Sequence, residues 1–238
     1  MVDMDRWAIN IDIEGFGQTY DSDPQAMVSL RALMEGIYKI GSECYPNPSE
    51  RIFAHQLGDG FVVMSGYGVP GIKKSLGIAI FLMRHVLANG GATKASISQG
   101  DLADVRGCFP ESIRNAEGRG STVRMGSGLM TTFPVMGTAI INSIKLSEVA
   151  PSGSLLVVQG VLSEELQQML GLHHLQDPGL SIIDWIHSEM EAVRKIEDCG
   201  SLNLMFTSGL ESSMNKYIEG SNVKPEWDEN TRKYTGLV

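Results

Sequence analysis

The largely apolar stretch Trp7-Ala8-Ile9-Asn10-Ile11 stops at a carboxylate, Asp12, which runs into the glycine-flanked turn Gly15-Phe16-Gly17. A short apolar run bounded by a turn signal predicts a strand ending at that turn. Asp23-Pro24 supplies an N-cap and a proline at the first helical position, and Met27, Leu30, Met34 and Ile37 follow at helical spacing until Pro46 and Pro48. Two apolar runs, 51–57 and 60–65, are joined by Gly58-Asp59, a hairpin signal. Pro70-Gly71 opens a second helix with Ile72, Leu76, Ile80, Met83 and Leu87 on one stripe, and Asn89-Gly90 closes it. Residues 93–99 read as a fourth strand. The order βαββαβ is the ferredoxin-like split unit. Right-handed crossovers would lay both helices on one face of a four-stranded antiparallel sheet. The first strand and the hairpin then neighbour one another, which brings Asp12 and Asp59 to one sheet edge.

Beyond the fourth strand the pattern loosens. Residues 100–137 read as a long, glycine-rich, irregular insert that carries Arg106, Arg114, Arg119 and Arg124. A short helix near 138–149, the turn Pro151-Ser152-Gly153 and a strand at 154–158 follow. Helical patterns near 163–170 and 180–197, an apolar strand near 202–206 and a polar tail after about 219 complete the chain. No repeat or clean linker interrupts it. The expected class is α+β, with a core over 1–160 and an α/β extension over 161–238 that packs on the core or on a dimer partner.

Composition narrows the chemistry. With 42% hydrophobic residues and a mean hydropathy of −0.03, the 238 residues suffice for a substantial core. A formal charge of −9 argues against a general nucleic-acid or anionic-membrane surface. The acidic start lacks the features of a signal peptide, and the longest apolar run, 77–83, is too short to span a bilayer; the expectation is a cytoplasmic protein. Cys44, Cys108 and Cys199 show no paired spacing and read as reduced packing residues. His173 and His174, read within a helix, would point to different faces, which argues against a joint metal role.

Asp12 and Asp59 carry the candidate chemistry. Each alone also fits an ordinary turn, where Asp and Gly are common. Together, beside backbone N–H groups freed by glycines, they suit Mg²⁺ or Mn²⁺ and a polyphosphate. Asp12-Ile13-Glu14-Gly15-Phe16 resembles the first metal motif of the class III nucleotide cyclase catalytic domain, Asp-Ile-x-Gly-Phe. Gly58-Asp59 is similar to its second, and the glycine, helix, Pro-Ser-Gly turn and strand from Gly137 to Val158 are similar to its third element. The resemblance spans about residues 7–160. It implies a homodimer whose sites draw on both chains and hold two divalent ions (Mn²⁺ or Mg²⁺). Asp12, Asp59 and the Ile13 carbonyl would be the ligands, and Glu14, Gly15, Phe16 and Gly17 would meet the triphosphate.

The departures from the family pattern matter as much. The position of its purine-reading lysine holds His55, and that of its purine-reading aspartate holds Pro134. In this the chain resembles the bacterial pyrimidine cyclases of Pycsar anti-phage systems. That implies cyclic UMP or cyclic CMP as product, acting on a separate cyclic-nucleotide-sensing effector. The expected reaction is UTP to 3′,5′-cyclic UMP and pyrophosphate, with His55 binding the base. The transition-state asparagine and arginine align with Ile141 and Lys145. Helical spacing suggests a rescue, with Thr138, Asn142 and Lys145 on one face and Ile140, Ile141 and Ile144 on a buried one. Asn142 and Lys145 are thus the expected catalytic pair, with a loop arginine as a possible supplement. Alternatives are a cytidylate or adenylate cyclase, or a nucleotide-binding regulator without turnover.

Overall fold

The structure, a computed structural model, describes residues 6–19, 21, 24–116, 121–160, 162–175, 179–200 and 207–237. The first element is strand β1 (Arg6–Ile13), paired on both edges. The turn after it leads through a short α1 (Phe16–Thr19) to α2 (Pro24–Lys39), which ends in a π-helical turn, Ile40–Cys44. The hairpin β2 (Phe53–Leu57) and β3 (Gly60–Tyr67), helix α3 (Gly68–Ala88) and strand β4 (Thr93–Gly100) complete the βαββαβ unit. These four strands lie in the order β4-β1-β3-β2, all antiparallel. Ferredoxin-like topology is therefore present as expected from the sequence.

The insert is more ordered than its composition suggested. It holds β5 (Ala103–Asp104), α4 (Glu111–Ala116), the hairpin β6 (Thr122–Met125) and β7 (Gly128–Thr131), and β8 (Val135–Met136), which pairs with β5. Helix α5 (Thr138–Val149) follows, then β9 (Leu156–Gln159), which joins β4 in parallel. After α6 (Glu164–Met169), β10 (Leu172–His174) and β11 (Leu180–Ile183) extend the sheet to seven strands, β10-β11-β9-β4-β1-β3-β2. Helices α7 (Glu191–Gly200), α8 (Thr207–Gly220) and α9 (Pro225–Thr235) end the described chain.

Three sequence expectations change here. The helical pattern over 180–197 splits into β11 and α7, because Leu180, Ile182 and Ile183 pair with β9. His173 and His174 lie in strand β10, not in a helix. The polar tail contains α9, whose Trp227, Thr231, Tyr234 and Thr235 are buried while charges cover the outside. The apolar run at 202–206 lies outside the described residues.

The two faces of β1 have different neighbours. Trp7, Ile9, Ile11 and Ile13 pack with α2 and α3 in the main core. Ala8, with Val62 and Met64 of β3, instead meets Ala139 and Ile140 of α5 in a second cluster. Helix α3 is not merely striped, since Ile78, Ala79, Phe81 and Leu82 are as buried as Leu76 and Ile80. A helix apolar all round must be covered all round, and the extension supplies the cover. At Gly77 an added Cβ would come within 2.7 Å of the Ala192 Cβ, so glycine permits the close α3–α7 approach. Arg84, the charged exception, is buried and donates to the carbonyls of Trp185, Ile186 and Ser188 at 2.6–3.0 Å. Leu162, Trp185, Val193, Met214, Trp227 and Leu237 of the extension thus share the main core with the first strands.

A histidine helps to hold the extension together. His187 bridges Asp184 (Nδ1–Oδ2 2.8 Å) and Glu211 of α8 (Nε2–Oε1 2.9 Å). Burial alone would lower its pKa, but the Glu211 hydrogen bond and the Asp184 charge more than offset this and raise it. Because the folded value lies above the unfolded one, the stabilisation is present below about pH 6.5 and lost as pH rises through the folded value. His187→Ala is expected to lower Tm by about 2–4 °C at pH 6, roughly 1 kcal/mol for a half-exposed network, and by less at pH 9. Thermal melts at both pH values check this, and equal losses would contradict it.

Candidate active site

The site is organised by a contact between the end of β1 and the start of β3. Ile11 pairs with Phe61, so Asp12 lies beside Gly60, and Asp59 immediately precedes that glycine. A Cβ on Gly60 would fall 2.5 Å from Asp12 Oδ1 and 2.7 Å from the Ile11 carbonyl oxygen. Only glycine allows the hairpin to close on the carboxylate. Gly58, at φ +64°, makes the turn that carries Asp59. The structure thus brings together the two aspartates that the sequence singled out.

Their electrostatics lack a dedicated counter-charge. Burial, then the charges of Asp59 and Glu14, push the Asp12 carboxyl up to about 6, against relief from the Ile13 backbone hydrogen bond and Lys94. Lys94 faces Asp12 across the β1–β4 register, but its Nζ donates to Ser147 O (2.9 Å) and Ala150 O (3.1 Å) at the end of α5. Crowded carboxylates whose nearest cation is engaged elsewhere fit a divalent ion. Among the described residues no cluster of three or more His, Cys, Asp or Glu side chains is placed to hold a metal. Two carboxylates suit an ion that keeps waters or takes phosphate oxygens, rather than a closed protein cage.

The turn that follows departs from expectation at Glu14. Its backbone N–H donates to Ala92 O (3.0 Å), and its carboxylate accepts from Trp227 Nε1 (2.7 Å). The Tyr217 hydroxyl donates to its carbonyl at 3.4 Å. The backbone N–H expected to face a triphosphate is therefore committed to the fold, and so is the carboxylate, because a carboxylate this buried needs a donor. Gly15 adopts φ +73°, Phe16 packs against the main core, and Gly17 is exposed.

Of the two positions that align with the family's purine readers, His55 lies against the neighbour of the other, Pro134. His55 faces Val62 across the β2–β3 pair and stacks on Phe133, with ring centroids 4.0 Å apart and planes at 13°. Pro134 follows directly, its carbonyl accepting from the Val105 N–H at 2.7 Å, with β5–β8 pairing beyond. Burial pushes the His55 imidazole below its usual pKa, so it is neutral at pH 7. Sequence reasoning missed Phe133. The available signal was an aromatic directly before Pro134, one of two in the glycine-rich insert.

Helix α5 corrects the catalytic-face reading. Ala139, Ile140, Ser143 and Leu146 face the sheet, and the Ser143 carbonyl accepts from Ser96 Oγ at 2.6 Å. Ile141 is 42% exposed and shares the outer face with Thr138 and Lys145, while Asn142 is half-buried. Positions four apart on a helix lie on one face, so Ile141 accompanies Lys145 and does not oppose it. Of the insert arginines, Arg106 pairs with Asp104 at 2.9 Å, Arg114 and Arg124 are exposed on α4 and β6, and Arg119 lies outside the described residues.

Among the described residues no helix is long and apolar enough to cross a membrane. No protein-family model and no curated protein matches the chain by sequence. Solved structures similar to it include the guanylyl cyclase domain of the RhoGC fusion protein from the aquatic fungus Blastocladiella emersonii. That match has 9% identity, covers 76% of this chain and 93% of the other, and has a TM-score of 0.47. A rhodopsin-guanylyl cyclase catalytic core with converted specificity, in complex with ATPalphaS, is similar at 7% identity, 76% and 96% coverage and a TM-score of 0.44. A class III adenylyl cyclase-like ATP-binding protein from Pseudomonas aeruginosa is similar at 10% identity, 82% and 40% coverage and a TM-score of 0.41.

Proposed function

We propose that this chain is a nucleotide cyclase that converts UTP to 3′,5′-cyclic UMP and pyrophosphate as a homodimer. The observation that carries the reading is the Asp12–Gly60–Asp59 arrangement, in which a glycine lets two carboxylates crowd at one sheet edge. Asp12, Asp59 and the Ile13 carbonyl hold the divalent ions. Bound there, two such ions would supply activation of the ribose 3′-hydroxyl and charge neutralisation at the α-phosphate and the leaving pyrophosphate. Gly15, Phe16 and Gly17 seat the triphosphate. His55, backed by Phe133, reads the base edge, and Asn142 and Lys145 approach the phosphates from the partner chain. Exposed apolar side chains near these elements, Phe53 and Leu57 on β2 and Ile141 on α5, suit a second copy. The product acts on a separate cyclic-nucleotide-sensing effector in anti-phage defence.

A second reading, a regulator that binds nucleotide without turnover, is favoured by one observation: an apolar Ile141 stands exposed where the resemblance calls for asparagine. Incubation with each of the four NTPs and Mn²⁺ or Mg²⁺, followed by mass spectrometry, separates the two. Cyclic UMP and pyrophosphate are expected; nucleotide bound but unchanged would favour the regulator. Mixing an Asp12→Ala chain with an Asn142→Ala, Lys145→Ala chain is expected to restore part of the activity through one composite site. No recovery under demonstrated subunit exchange would count against the shared site.

A further inference from the structure

Two cysteines lie where α7 packs against the π-helical turn that ends α2. Cys44 closes the π-helical turn after α2, and Cys199 lies in the last turn of α7, 155 positions later. Cys199 Sγ donates to the carbonyl of Glu43 at 3.1 Å, and Cys44 Sγ donates to the carbonyl of Ile196 at 3.7 Å. Each thiol thus reaches a carbonyl beside the other cysteine, Ile196 being one helical turn before Cys199. Cys44 is half-buried, while Cys199 is exposed.

We propose that Cys44 and Cys199 form a redox-sensitive pair that a low-molecular-weight disulfide, such as oxidised glutathione, converts to an intramolecular disulfide tying the C-terminal extension to the end of α2. The exposed Cys199 thiolate attacks one sulfur of the small disulfide, forming a mixed disulfide and releasing one small thiolate. Cys44 gives its proton to solvent and attacks Cys199 Sγ. The Cys44–Cys199 bond forms and the second small thiolate leaves. Two electrons pass from the protein to the small disulfide, which becomes two thiols. Burial, followed by the neighbouring Cys199 and Glu43, pushes the Cys44 thiol up to about 12, so closure is the slow step and quickens with pH. Capping Cys199 removes its contribution and eases Cys44 ionisation.

Cys108, exposed in the insert, is an internal control because no cysteine faces it among the described residues. The full chain, kept folded with oxidised glutathione at pH 8, is alkylated, digested and mapped by mass spectrometry. The expected product is a Cys44–Cys199 peptide pair, with glutathione retained on Cys108 and absent from Cys199. Closing a loop of this length is expected to raise Tm by about 5 °C or more, reversibly with dithiothreitol. Cys199→Ser, at an exposed position, should fold as before and lose both signatures, and Cys108→Ser should keep them. Glutathione persisting on Cys199 beside a free Cys44, or links between copies through Cys199, would overturn the proposal.

Discussion

Replacing Asp12 or Asp59 by alanine is expected to lower kcat for cyclisation by about a thousandfold or more, since losing a metal ligand forfeits several kcal/mol of transition-state stabilisation. The fold should survive, because neither side chain contributes to the hydrophobic clusters. Asp12→Asn should go further and make the metal-free protein more stable at pH 7. The sign follows from the raised carboxyl, about 6 in the fold against an ordinary 3.8. The folded chain holds that proton more tightly than the unfolded chain, so the ionised carboxylate costs stability above pH 6. The cost fades as pH falls towards 4. Melts of the wild type and Asp12→Asn should therefore differ at pH 7 and converge near pH 4, and added Mn²⁺ should stabilise only the wild type. Wild-type turnover in either alanine variant would remove the metal-site assignment.

The parts legible in the sequence were those with a local, periodic cause. The apolar run from residue 7, the Gly58-Asp59 turn, the Asp23-Pro24 and Pro70-Gly71 helix starts and the run at 93–99 placed the first four strands and two helices, and topology then brought Asp12 to Asp59. Helix α9 was missed because its mean polarity outweighed its caps. Yet Pro225 at the first turn, acidic Glu226 and Asp228 early, Arg232 and Lys233 late, and Gly236 in the left-handed conformation all mark a helix. Its buried side carries Trp227 and Tyr234, large side chains too few to register as a stripe. The role of Glu14 was illegible for a different reason. Its partner Trp227 lies 213 positions away, and no local pattern encodes that hydrogen bond. Ile141 went wrong through geometry alone, since its spacing from Lys145 already placed it outside.

The base preference tests the remaining part of the site, and UTP is expected to exceed CTP, with both exceeding ATP and GTP in kcat/KM. His55 is neutral at pH 7, and its ring lies flat on Phe133, which leaves its nitrogens to act in the plane of the stack. A neutral imidazole donates to a uracil carbonyl or accepts from its N3–H, depending on the tautomer. Cytosine, with an exocyclic amine and an unprotonated N3, needs the reverse order. A purine finds neither a lysine at 55 nor an aspartate at 134, and its unpaired edge would be penalised by about one to several powers of ten. His55→Lys with Pro134→Asp should move the preference towards ATP. Phe133→Ala should weaken discrimination without restoring purine use, because it frees the imidazole from its platform and adds no purine-reading group. Competition assays with paired triphosphates read all three effects from product ratios. A wild-type protein that prefers ATP to UTP would sink the pyrimidine assignment and leave Asp12 and Asp59 as the metal site of a purine cyclase.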